Sequence, residues 1–192
     1  EYYAIITHMD EQIARILKAL NASGKADNTY VFFTADHGLA VGHHGLMGKQ
    51  NMYEHSLRVP FIISGPGIEK NALRKQFIYL QDIMPTTLEM AGAIVPEEVE
   101  FKSLIPIIDD ANLPHYNHIY GCYKENLQRA IISGDFKLIL YPEIDVVRLY
   151  DLKNDPEENI DLASDPTYFS TLDRLSRELE KLQQKLSDPL KI

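Results

Sequence analysis

The chain has no tryptophan and one cysteine, Cys122, among its 192 residues. A single thiol excludes an internal disulfide, so packing and hydrogen bonds must hold the fold. No apolar run reaches the roughly 18 residues that a membrane span needs. Runs of lysine and arginine are missing too: 19 basic residues stand against 28 acidic ones, a formal charge of −9. That balance lacks the footprint by which proteins grip a phosphate backbone, which argues against nucleic acid as a partner. It also means that any anionic ligand must be met by a local positive pocket inside an unfavourable field. Internal repeats and low-complexity segments are absent as well. What remains is 45% hydrophobic, enough for one sizeable core or two small ones.

The densest chemistry lies at Phe33-Thr34-Ala35-Asp36-His37-Gly38 and in the loop that ends at Gly48-Lys49. Thr29-Tyr30-Val31-Phe32-Phe33 is β-branched or aromatic without alternation, which predicts a strand buried on both faces of a largely parallel sheet. Ligands of such a sheet sit beyond the carboxyl ends of its strands. Asp36 offers a hard oxygen and His37 a neutral nitrogen. Together they are two ligands for a cation and not a full shell; alone, such a pair also describes a solvated turn. Gly38, Gly42, Gly45 and Gly48 would let the backbone take positive φ and approach a ligand closely. Lys49 closes the loop with a compact point charge suited to a tetrahedral anion such as sulfate or phosphate. His43 and His44 can protonate a leaving oxygen near neutral pH, or be plain surface histidines.

Coarser signals set the frame. Tyr2, Ile5, Met9, Ile13, Ile16, Leu17 and Leu20 form a helical stripe that stops near Ser23-Gly24 and should pack on the sheet. Tyr53 to Val59 reads as a short helix ended by Pro60, with Glu54 four residues before Arg58 for an ion pair. Phe61-Ile62-Ile63-Ser64 is a strand closed by Gly65-Pro66-Gly67. A further helix should begin with Asp82 as N-cap and stop at Gly92. The shift in composition through Pro96, Glu97, Glu98, Asp109 and Asp110 to Pro114 reads as a linker. Beyond it, Gln128 to Ser133 and Phe136 to Tyr141 predict a hairpin at Gly134-Asp135, flanked by strands at His118 to Tyr123 and Val147 to Leu152. A last helix, with Leu172, Leu175, Leu179 and Leu182, should cover that sheet. The acidic turn Asp155-Pro156-Glu157-Glu158 reads as solvated.

The order Asp36-His37-Gly38, Gly42-His43-His44-Gly45, Gly48-Lys49, Tyr53-Glu54-His55-Ser56, Arg58-Val59-Pro60 and Gly65-Pro66-Gly67 resembles the C-terminal portion of a type I sulfatase of the alkaline phosphatase superfamily. The likeness continues through Pro85-Thr86-Thr87-Leu88, Ser103-Leu104, Leu149-Tyr150-Asp151-Leu152 and Asp155-Pro156-Glu157-Glu158-Asn159, so that it covers nearly the whole chain. It implies an α/β fold: residues 1–108 as the end of a mixed sheet with flanking helices, and residues 109–192 as a small antiparallel subdomain under a C-terminal helix. It also implies hydrolysis of a sulfate ester of a small molecule or carbohydrate, in a periplasmic or secreted enzyme. Asp36 and His37 would complete a metal site for calcium first and manganese second. Lys49 would clamp the sulfate and serve catalysis, with His43 a substrate contact and His44 a weaker catalytic candidate.

The family's nucleophile is a formylglycine made from cysteine in a Cys-x-(Pro/Ala)-x-Arg signature, and that signature is missing here. Cys122 lies in Tyr120-Gly121-Cys122-Tyr123-Lys124-Glu125-Asn126, where Asn126 stands at the arginine position, so it reads as a strand residue. The expectation is therefore a C-terminal piece of a longer enzyme, inactive alone, whose nucleophile and remaining metal ligands come from a missing N-terminal part. Two rivals stay open: a phosphonate or phosphate ester hydrolase of the same superfamily, and a non-catalytic interaction module.

Overall fold

The computed structural model describes residues 1–190. The chain divides into two compact units, residues 1–34 with 60–72 and residues 35–59 with 73–192. In the first, helix α1 spans Tyr2–Ala22 and ends where the Ser23 amide turns back to the Ala19 carbonyl, ahead of Gly24 at φ +69°. Strand β1 (Val31–Thr34) pairs with β2 (Phe61–Ser64) in antiparallel register from Val31 opposite Ser64 to Thr34 opposite Phe61.

Two expectations fail here. The pair is antiparallel and half-exposed, with Ile62 at 58%; an apolar run reports what its faces can bury, not the direction of the neighbouring strand. Nor is any residue of α1 buried. Two strands of four residues extend only about 13 Å, too short to cover a helix of about 30 Å.

The second unit is built on strands β3 (His118–Tyr123), β4 (Gln128–Ser133), β5 (Phe136–Tyr141) and β6 (Val146–Asp151), antiparallel in that order. The hairpin falls where the sequence predicts it, with Ser133 opposite Phe136 and Gly134 at φ +60°. Alternation along the strands makes two apolar faces. Ile131, Leu138, Leu140 and Leu149 meet Leu175 and Leu179 of helix α5 (Phe169–Lys185), both fully buried. Ala130, Ile139 and Tyr150 face the other way and pack on Met52, which adjoins helix α2 (Glu54–Leu57). Gly121 allows that approach, since a Cβ there would sit 3.0 Å from Met52 Sδ.

The stretch expected to be a linker is packed instead. It contains helix α4 (Ile105–Asp109) and buries Leu104 and Ile107. Asp82 occupies the position before helix α3 (Ile83–Met90), yet its side chain does not cap that helix. The fully buried carboxylate accepts from Tyr79 N at 2.8 Å, Lys102 N at 3.1 Å and Tyr116 Oη at 2.7 Å. Thr86 Oγ1 accepts from Leu104 N at 2.8 Å. Proline and acidic residues thus mark an irregular path, but side-chain acceptors satisfy its amides and allow burial.

Candidate functional site

Asp36 follows the last residue of β1 by two positions in sequence. The turn it opens is fixed by its neighbours: Gly38 N donates to Ser56 O at 2.9 Å, and a Cβ on Gly38 would lie 1.9 Å from His55 O. Only glycine fits there. The loop is then closed by Ala40 N to Gly48 O at 3.0 Å and Gly42 N to Leu46 O at 2.7 Å. Gly42 and Gly45 take the expected positive φ, 102° and 71°, whereas Gly38 and Gly48 do not.

These constraints bring three predicted residues to one point. His37 Nδ1 lies 3.0 Å from the Gly38 carbonyl, which can only accept, so Nδ1 carries the proton. In the neutral ring Nε2 is then the acceptor, the form of imidazole that ligates metals. Asp36 Oδ2 is 3.4 Å from that nitrogen, and Lys49 Nζ contacts it. Two acceptors at this spacing repel unless a cation lies close by; here the Lys49 ammonium contacts the His37 nitrogen. Asp36 is 83% exposed and His37 32%. The donor set fits a divalent ion, although among the described residues no group of three His, Cys, Asp or Glu gathers to complete a shell.

His43 and His44 lie elsewhere. His44 stacks on Tyr53, ring centroids 4.0 Å apart at 12°, and His43 Nδ1 is 3.3 Å from Glu157 Oε2. With His55 they form an aromatic cluster, since His55 stands 5.9 Å from His43, 5.7 Å from His44 and 5.7 Å from Tyr53. A cleft of about 340 Å³ opens beside it, lined by His43, Glu54, His55, Arg58, Glu157 and Glu158. Burial, then the charges available to His44, His43 and Lys137, hold the His55 pKa below its ordinary value. The expected pair Glu54–Arg58 forms, at 3.8 Å.

The acidic turn is not solvated at Glu158, which is 2% exposed. Its Oε1 and that of Glu54 each lie 2.7 Å from the ammonium of Lys137, a fully buried lysine on β5. Lys137 shares the sheet face of Ile139, so a charge sits where the alternation demands an apolar side chain, and two carboxylates offset its desolvation. The other Glu158 oxygen accepts from Glu54 N at 2.6 Å. Glu158 takes φ +57° to do so. The legible signal was Lys137 itself, the one charge inside Phe136-Lys137-Leu138-Ile139-Leu140.

The fold is of the α/β kind, and comparison with known proteins makes it specific. Residues 42–185 match the family described as N-sulphoglucosamine sulphohydrolase, C-terminal, and the chain belongs to that family. Residues 1–82 match a second family, described only as a protein of unknown function. An arylsulfatase of Clostridium perfringens is 34% identical over 201 residues, covering 100% of this chain and 42% of the relative. A solved structure in complex with its substrate D-glucosamine-2-N,6-O-disulfate is 31% identical and overlays 96% of this chain and 40% of its own with a TM-score of 0.88. The phosphonate monoester hydrolase of Agrobacterium radiobacter is 25% identical, with a TM-score of 0.81 over 96% of this chain and 40% of its own. The chain thus spans about 40% of the proteins it matches, and its α/β architecture is the one they share.

Proposed function

We propose that this chain supplies half of the active site of a sulfatase acting on a sulfated carbohydrate: Asp36 and His37 as ligands of a divalent cation, Lys49 as the contact to the sulfate. The observation that carries the reading is the convergence of Asp36 Oδ2 and the Lys49 ammonium on the unprotonated His37 Nε2. Calcium ranks first from the resemblance to type I sulfatases, and manganese second because the His37 nitrogen suits it better than it suits an ion that takes oxygen ligands. A bound cation would polarise the sulfate group and stabilise the charge that develops on it. Asp36 would balance that cation's charge, and the Gly38 carbonyl would hold the His37 ring in the ligating tautomer. Lys49 would neutralise an equatorial oxygen of the ester as charge moves toward the leaving group. His43 lines a separate cleft, with His44 packed beside its neighbour His55, and there they would meet the remainder of a sugar.

The nucleophile, a formylglycine on this reading, must come from chain outside this sequence, and residues 1–192 alone would not turn over. The shared fold with a phosphonate monoester hydrolase keeps a phosphorus ester as the second reading. In a full-length enzyme carrying this chain, Lys49→Ala should lower turnover of a glucosamine sulfate by roughly a hundredfold to a thousandfold. Faster turnover of a phenylphosphonate monoester than of the sulfate would favour the second reading. Unchanged turnover of both by the folded variant would return Lys49 to the surface and leave the chain a non-catalytic module.

A further inference from the structure

Glu158 and Lys137 have no place among the groups just assigned, yet an unbroken series of contacts leads from them to His37. Lys137 Nζ holds Glu54 Oε1 and Glu158 Oε1 at 2.7 Å each. The free Glu158 oxygen accepts the Glu54 amide at 2.6 Å, across 104 residues of sequence, and so caps the first turn of α2. The same short helix carries the Ser56 carbonyl that accepts from Gly38 N at 2.9 Å, and the His55 carbonyl against which Gly38 is packed. Gly38 in turn accepts from His37 Nδ1 at 3.0 Å. A helix of four residues has little stability of its own. Its place must come from what grips it, and among these grips are the sheet packing at Met52, Tyr53 and Leu57 and this ion triad.

We infer that Lys137 and Glu158 are positioning residues for His37: they fix α2, and through the Ser56 and Gly38 backbone they set the ring tautomer that leaves Nε2 free. Two features oppose a merely space-filling role. A buried ion triad is a costly way to fill a core, because an apolar side chain of similar size does so without desolvating charge. Glu158 also holds a left-handed backbone, φ +57°, that a side chain rarely takes without a compensating contact. The inference rests on the proposed function only for what His37 does, since the contact series itself ends on a tautomer that can be read without metal or substrate.

The test uses the chain labelled with ¹⁵N, wild type against Glu158→Gln, with Asp188→Asn as a control. Asp188 makes a buried ion pair with Arg129 at 2.6 Å, away from this series. Wild type should show His37 as the Nδ1–H tautomer and a Gly38 amide protected from exchange. Glu158→Gln should mix the His37 tautomers and speed Gly38 exchange about tenfold, the scale of one lost charge-assisted hydrogen bond, while Asp188→Asn leaves both signals in place. If Glu158→Gln does not fold, Glu158→Asp keeps the charge but shortens the reach, and should give the same two changes in smaller measure. Wild-type signals in the folded Glu158 variant, or equal changes in the control, would overturn the assignment. Loss of cation binding with an intact Nδ1–H tautomer would count against the proposed function and not against this inference.

Discussion

Replacing Gly38 with alanine addresses the contact on which the site's geometry turns. A Cβ there would lie 1.9 Å from His55 O and 2.9 Å from His55 C, and reaching the 3.4 Å at which ordinary contact begins demands a shift of 1.5 Å. Both obstacles are backbone, so no side-chain rotation relieves them. The turn must separate from α2, which breaks the 2.9 Å bond from Gly38 N to Ser56 O. Overpacking of about 1 to 3 kcal/mol together with one lost hydrogen bond gives about 2 to 4 kcal/mol. Gly45→Ala is the proper comparison. Gly45 has φ +71° and nothing within 4 Å of a built Cβ, so its cost is conformational alone, about 1 to 2 kcal/mol. Urea denaturation of the three proteins, with the slope checked for constancy, reads the difference. A Gly38→Ala cost no greater than that of Gly45→Ala would mean that the turn is not clamped on α2.

Hydrogen bonds from Arg129, outweighing burial, hold the Asp188 carboxyl below its ordinary range. Its stabilisation is therefore present above the unfolded value near pH 4 and lost as pH falls through the folded value, so the stability gap between wild type and Asp188→Asn should be widest near neutrality and narrow toward pH 2. A gap independent of pH would contradict the pairing. His55, held below 6.5 by burial and then by His44 and His43, binds fewer protons folded than unfolded as pH drops below its unfolded value. Its share of stability should fall between about pH 6.5 and its lower folded value; in His55→Gln that slope should vanish, and an unchanged slope in urea titrations from pH 7 to 5 would refute it.

How much of this was legible differs by element. The hairpin at Gly134-Asp135, its flanking strands and the leucine stripe of α5 could be read because turn chemistry and periodicity are local. The parallel pairing expected for Val31 to Thr34 could not be judged from the strand alone, because direction belongs to the partner. Likewise the acidic turn reads as solvated until Lys137 is seen beneath it, since 104 residues separate Glu54 from Glu158. Within the site, adjacency already placed Asp36 beside His37, and loop closure brought Lys49 back to them. Nothing local told His43 and His44 apart from that group; their stacking on Tyr53 and approach to Glu157 depend on tertiary packing.

The most direct test of the central claim is a calcium titration of the chain followed at the His37 Nε2 resonance. Two ligands should give weak but saturable binding, roughly millimolar, at the weak end of known calcium sites. The account predicts that calcium shifts His37 Nε2 and releases the Lys49 contact together, and that Asp36→Asn abolishes both changes. No shift at His37 over the titration, or the same shift in Asp36→Asn, would contradict it.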